Sequence, residues 1–215
     1  MRTIDFYFDF ISPYAYLAFE TLPATLEGVS HVVNYKPVLF AGLLKHHGQL
    51  GPAEIAPKRD WTYRQVMWLA DRHGVSLRMP AGHPFNSLPL LRLALAAGGP
   101  AGPNRWICET IFRHVWQGGA EATDAARLDA LAARLAPGAA VGDPGVKSRL
   151  QALTDEAIGR GLFGVPSFVI DGRVFWGFDA LPMLRDHLLG SPWFRGGDWD
   201  AAPQVPVAQA RSRPA

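Results

Sequence analysis

The chain has 215 residues, 48% of them hydrophobic and 19% charged, with a formal net charge of +2 and a single cysteine, Cys108. Such a length and apolar fraction support one compact core, the small and dispersed positive charge excludes nucleic acid as the main partner, and one cysteine excludes an internal disulfide. No apolar run reaches membrane-spanning length, and the opening MRTIDFYFDF is broken by Asp5 and Asp9 where a signal peptide needs an apolar core. A soluble cytoplasmic protein with no membrane partner is expected.

Residues 3–19, TIDFYFDFISPYAYLAF, read as a strand, a short junction and a helix, because alternating residues of high β propensity give way to apolar residues at helical spacing. Ser12 falls where an N-cap belongs and Pro13 where the first helical residue belongs. On local pattern alone this is ordinary capping. The same position also sets a hydroxyl among unpaired amides at a positive helix end, which favours an anion. The helix is expected to end near Gly28, and residues 31–38 form a second strand parallel to the first. The right-handed crossover of this βαβ unit leaves Ser12 at the carboxyl end of the first strand, where ligands of α/β sheets collect.

Residues 40–60, rich in Gly and Pro and without a clear period, read as a long functional loop. Its adjacent His46 and His47 have diverging side chains and no acidic or thiol companions, so they are read as solvated and no metal is expected. From 61 to 159 the pattern is helical. Segments at 61–74, 86–99, 103–119, 123–138 and 143–161 carry apolar residues at helical spacing between capping residues and glycine stops. Trp61, Met67, Trp68, Trp106 and Trp116 are read chiefly as core residues of this lobe. Cys108, inside one of these helices, reads as a buried structural thiol. His83-Pro84-Phe85-Asn86 reads as a turn with Asn86 capping the helix that follows.

Residues 163–179, FGVPSFVIDGRVFWGFD, hold Val165-Pro166 ahead of two short apolar strands joined at Asp171-Gly172. A last helix begins with Asp179 as N-cap. After Phe194 the chain is rich in Ala, Pro, Gly and Arg and reads as a disordered tail or a packing arm.

Together these segments resemble the thioredoxin superfamily in its DsbA-like branch: an α/β, thioredoxin-like fold with an inserted all-helical lobe. The implied parts are residues 1–60 and 160–194 for the thioredoxin-like domain, 61–159 for the lobe and 195–215 for the tail. The superfamily carries a cis proline facing the start of the first helix, and Val165-Pro166 matches it. Redox members have Cys-Pro-x-Cys there, whereas this chain has Ser12-Pro13-Tyr14-Ala15, so dithiol exchange lacks both sulfurs. Within the branch, FDFISPYAYLA at 8–18, GLLKHHG at 42–48, APK at 56–58, PFNSLPLLR at 84–92 and GFDAL at 177–181 resemble the 2-hydroxychromene-2-carboxylate isomerases and the similar kappa-class glutathione transferases.

The resemblance implies glutathione as cofactor, a small aromatic keto acid as substrate and a homodimer. It implies Ser12 as the catalytic residue beside the thiol. Glutathione contacts would come from Gln49, where the family often has Asn, from Lys58 or Arg59 to the glycine carboxylate, and from the backbone at Val165 and Pro166. Phe178 and Asp179 would hold the γ-glutamyl end. Phe85, Asn86 and Trp116 would lie at the second-substrate pocket. A glutathione-dependent isomerase is the leading expectation, a kappa-like transferase the second, and a non-catalytic thioredoxin-like binding module the third.

Overall fold

A computed structural model describes residues 1–206 and 208. Strand β1 (Arg2–Phe8) sits inside the four-stranded sheet β2-β1-β3-β4, with β2 (His31–Pro37) parallel to it and β3 (Ser167–Ile170) antiparallel. Its alternation buries both faces. Ile4, Phe6 and Phe8 enter the large core, and Tyr7 enters a smaller one with Val38, Leu43, Ala157, Leu162, Val165 and Val169. β3 turns into β4 (Arg173–Trp176) through Asp171 and Gly172, both at positive φ (52° and 74°), the backbone that an Asp-Gly hairpin turn supplies.

Helix α1 (Pro13–Thr25) links β1 to β2, and between β2 and β3 run α2 (Phe40–His47), α3 (Ala56–Arg72), α4 (Leu88–Gly98), α5 (Arg105–Trp116), α6 (Ala125–Leu135) and α7 (Pro144–Gly159). Asn104, Asp124 and Asp143 cap α5, α6 and α7 through side-chain oxygens, which fixes where the lobe's helices start. After the hairpin come α8 (Leu181–Leu188) and the short α9 (Asp198–Ala201).

Several expectations are corrected. The segment 40–60 is not a loop: it holds all of α2, a 3-10 turn at Pro52–Glu54 and the first turn of α3. The expected boundary at 60 therefore falls inside α3. At the other end of the lobe, α7 lies against the sheet, where Glu156 accepts from Tyr7 and Lys36 and Thr154 accepts from the Leu39 N–H. Trp61, Met67, Trp68 and Trp106 are not core residues; they are 62%, 58%, 60% and 48% exposed, and only Trp116 of that group is buried. On α3 the buried stripe is Thr62, Val66 and Ala70, whose four-residue spacing turns Trp61, Met67 and Trp68 outward.

The segment after Phe194 makes contacts. Trp199 lies against Phe175, and the Arg173 guanidinium sits over the rings of both Phe194 and Trp199. These contacts make it a packing arm as far as α9. The tail expected at 207 and 209–215 lies outside the described residues. Cys108 is buried, and burial pushes its thiol up, as expected of a structural cysteine. Among the described residues no helix is long and apolar enough to cross a membrane, and no group of three or more metal-ligating side chains occurs.

Candidate functional site

The end of β1 and the start of α1 define the site. Ser12, at φ −87° and ψ 115°, is the N-cap of α1: its Oγ accepts from the Ala15 N–H at 3.2 Å and donates to the Val165 carbonyl at a long 3.4 Å. The hydroxyl thus bridges the helix start and the loop carrying the cis Val165-Pro166 bond. Across from Val165 the loop is tight. A Cβ placed on Gly164 would stand 2.5 Å from Nε1 of Trp176, whose ring also lies on Phe163.

Ser12 opens on a cavity of about 380 Å³ lined by the starts of three helices: Ser12, Pro13 and Tyr14 of α1, Leu39, Phe40 and Ala41 of α2, and Asn86, Ser87 and Leu88 of α4. The walls are mainly apolar, from Ile11, Leu44, Pro52, Ala53, Phe85 and Val165. Convergent helix starts offer amide donors to negative charge, and the apolar walls keep that charge from being screened by water.

The β1–α1 junction is held from the helical lobe. Trp116 donates from its indole Nε1 to the Phe10 carbonyl at 2.9 Å, and His83 Nε2 donates to the Ile11 carbonyl at 2.9 Å. That bond fixes the tautomer of His83, leaving Nδ1 to meet the Tyr63 hydroxyl at 2.7 Å. Burial holds the ring's pKa below the ordinary value, so the imidazole is neutral at physiological pH. The His83-Pro84 bond is also cis.

Asp9 lines the same cavity while almost wholly buried at 1% exposure. Its carboxylate accepts from the N–H groups of Ile11 (3.1 Å) and Phe40 (3.0 Å) and from the Ser87 hydroxyl, tying α2 and α4 to the junction. Burial nevertheless pushes its pKa up to about 6 from the model-compound 3.8. The native state then holds this proton more tightly than the unfolded chain does. Its contribution to stability is present in full below about pH 4 and is lost as the pH rises through about 6, amounting to roughly 3 kcal/mol. Urea unfolding between pH 4 and 7 should show this downward slope, and Asp9→Asn should flatten it. Parallel slopes in the two proteins would remove Asp9 as its source.

Of the residues singled out in the sequence, Ser12, Phe85, Asn86 and Val165 meet at the cavity. The α4 start is one residue later than expected: Ser87 is at the N-cap position, and Asn86 accepts from the Leu88 N–H at 3.1 Å. Pro166 follows Val165 toward β3, its carbonyl taken by the Gly177 N–H at 2.9 Å. Gln49 lies just beyond α2, with its backbone N–H on the Leu44 carbonyl. Lys58 and Arg59 are in the first turn of α3, where a cation opposes the helix dipole, and Arg59 meets the Asp60 carboxylate at 3.9 Å.

Phe178 and Asp179 lie beyond Tyr14. Phe178 packs edge-on to His73, and the Asp179 charge helps raise the Tyr14 pKa, although burial is the larger cause. Asp179 is not the N-cap of α8. That position is Ala180, because residues 178–180 first make a 3-10 turn from Gly177 at φ 99°. Trp116 stands behind the cavity wall, wholly buried, with its indole on Phe10 rather than facing the space. Sequence reasoning passed over Asp9, Tyr14 and Ser87 as site residues and took His83 only as part of the turn before Asn86. The available signal was Asp9 itself, a charge inside an otherwise apolar strand end.

The fold has relatives. A family model described as a DSBA-like thioredoxin domain matches residues 3–189. A 2-hydroxychromene-2-carboxylate isomerase of Sphingobium xenophagum is 30% identical over 195 residues, covering 87% of this chain and 98% of that protein. This chain belongs to the 2-hydroxychromene-2-carboxylate isomerase family of DSBA-like thioredoxin domains. A second similar protein, glutathione S-transferase kappa 2 of Caenorhabditis elegans, is 26% identical over 207 residues, covering 87% of this chain and 92% of its own. Among solved structures, a selenomethionine 2-hydroxychromene-2-carboxylate isomerase superposes with a TM-score of 0.73 at 24% identity, covering 94% of this chain and 98% of that one. That isomerase thus shares the fold over nearly the whole of both chains.

Proposed function

We propose that the protein is a glutathione-dependent cis-trans isomerase acting on 2-hydroxychromene-2-carboxylate or a similar aromatic keto acid. The observation that carries this reading is Ser12, a hydroxyl at the start of α1 facing an apolar cavity, in a chain that has no cysteine at that helix start. The names of the isomerase and kappa transferase relatives support it. Bound glutathione supplies a thiolate that adds reversibly at the alkene carbon, so that the double bond to be rotated becomes single.

The residues present suit that cofactor. An unperturbed thiol, with a pKa of about 8.5, is mostly protonated near neutral pH. Ser12 can exchange its long bond to Val165 for one to sulfur, and the α1 start adds a positive field, both favouring the ionised form. Trp116 and His83 hold the Phe10 and Ile11 carbonyls, so the hydroxyl is presented without reorganisation. Lys58, and Arg59 if it turns from the Asp60 carboxylate that it meets at 3.9 Å, suit the glycine carboxylate, and Asp179 is the partner for the α-ammonium. Phe85 and the neighbouring aliphatic walls face an aromatic ring, and Asn86 offers an amide to a keto-acid oxygen.

The deciding assay mixes protein, glutathione and a chromene or benzylidenepyruvate substrate and follows both isomer and thiol. Isomerisation at constant glutathione is expected. Consumption of glutathione mole for mole would favour the kappa-like transferase, the second reading that the relatives support. Glutathione at a hundredfold excess over its dissociation constant should also stabilise the fold by about 2.7 kcal/mol, with S-methylglutathione giving less. A thermal melt that stays in place in millimolar glutathione would overturn the cofactor assignment.

A further inference from the structure

Asp9 is a buried carboxyl on the wall of the cavity that Ser12 opens on, and the function proposed above leaves it without a role. Two observations give it one. First, the cavity wall contains the buried Asp9 and the solvent-exposed Glu54 but, among the described residues, no lysine or arginine. A thiolate, a substrate carboxylate and an ionised Asp9 together would put three negative charges in one apolar space with no cation on its wall, an arrangement that low dielectric disfavours. Second, every donor to Asp9 is neutral: the N–H groups of Ile11 and Phe40, and the Ser87 hydroxyl.

We propose that Asp9 is the proton acceptor of the site, taking up the proton that the thiol gives up and holding it inside the cavity while the sulfur is ionised. The inference rests on the glutathione reading above. The S–H bond breaks with its electron pair left on sulfur, an O–H bond forms on the Asp9 carboxylate, and the net charge of the site does not change. When the thiol re-forms the proton returns.

The surroundings accommodate this transfer. A protonated Asp9 still offers oxygen to the Ile11 and Phe40 N–H groups, while the Ser87 hydroxyl can turn from donor to acceptor, so no buried donor is stranded. The other titratable groups on the wall suit the task less. Burial disfavours a charged His83, Glu54 is exposed and exchanges protons with water, and the Tyr14 hydroxyl donates to Gln65 at 2.5 Å. Near neutral pH the free protein holds Asp9 mainly as the carboxylate, ready to accept, since its pKa is raised only to about 6.

The experiment counts protons against thiolate. Glutathione is added near neutral pH in weak buffer, with a pH-indicating dye reading proton release and ultraviolet thiolate absorbance reading ionised sulfur. The expected result is thiolate with far less than one proton released per sulfur in the wild type, and about one per sulfur in Asp9→Asn, where no carboxylate can take it. Ser87→Ala should keep the wild-type inventory and shift the acid limb of thiolate formation upward, because the carboxylate loses a donor. About one proton per thiolate in the wild type overturns the inference, and that measurement decides even where Asp9→Asn fails to fold. Absence of any thiolate in the wild type, with glutathione bound, overturns the glutathione reading and the inference together.

Discussion

Ser12→Ala is expected to fold, to bind glutathione and to lose most of its turnover near neutral pH. The hydroxyl caps α1 through the Ala15 N–H, so its loss costs about 1 kcal/mol of stability and leaves the Pro13 start in place. A hydrogen bond to a charged sulfur is worth about 1.5–3 kcal/mol in the transition state, roughly a ten- to hundredfold fall in rate. Alkali should restore part of the activity, because a higher pH supplies the thiolate that the variant no longer favours. The thiolate absorbance of bound glutathione, titrated in both proteins alongside turnover, separates this from simple capping. Superimposable titrations with undiminished turnover would mean that Ser12 is only a cap.

The second large effect is expected behind the site. Trp116 fills the core beside Tyr16 and donates its indole N–H to the Phe10 carbonyl two residues before Ser12. Trp116→Ala should lower stability by about 3–5 kcal/mol through lost contacts and a residual cavity. Trp116→Phe keeps most of the ring but leaves the Phe10 carbonyl without its donor, a cost of about 1–3 kcal/mol. Because that carbonyl belongs to the junction presenting Ser12, the Phe variant should also lose turnover beyond what its stability loss explains. Urea midpoints that do not move in Trp116→Phe would show the indole bond to be inconsequential.

What could be read in the chain beforehand was what local chemistry specifies. The Ser12-Pro13 start and the Asp171-Gly172 turn were legible because capping and positive φ each select few residue types. The lobe's helices were legible as elements because their period and caps lie within a single segment. Which way α3 faces was not, since its buried stripe is Thr62, Val66 and Ala70, and the aromatic period that draws the eye is on the opposite side. The role of His83 was hidden for a different reason. Its partner carbonyl at Ile11 is 72 positions away, and only the folded lobe brings them together. Asp9 looked like an interruption of an apolar strand end, and its meaning depends on donors from α2 and α4. Asp179 was displaced from its expected cap by one extra 3-10 turn, a shift of the size at which pattern reading ordinarily fails.

The flat seat of the Val165 loop constrains how this sequence can diverge. Since a side chain at Gly164 would have to occupy the space held by the Trp176 indole, a drift to alanine or serine there requires a smaller or displaced residue at 176. Phe163, packed on the same ring, would lose its neighbour in that exchange. Positions 163, 164 and 176 are therefore expected to change as a set along a lineage, and a library that varies Gly164 alone should recover chiefly variants in which the half-exposed Trp176 ring has moved.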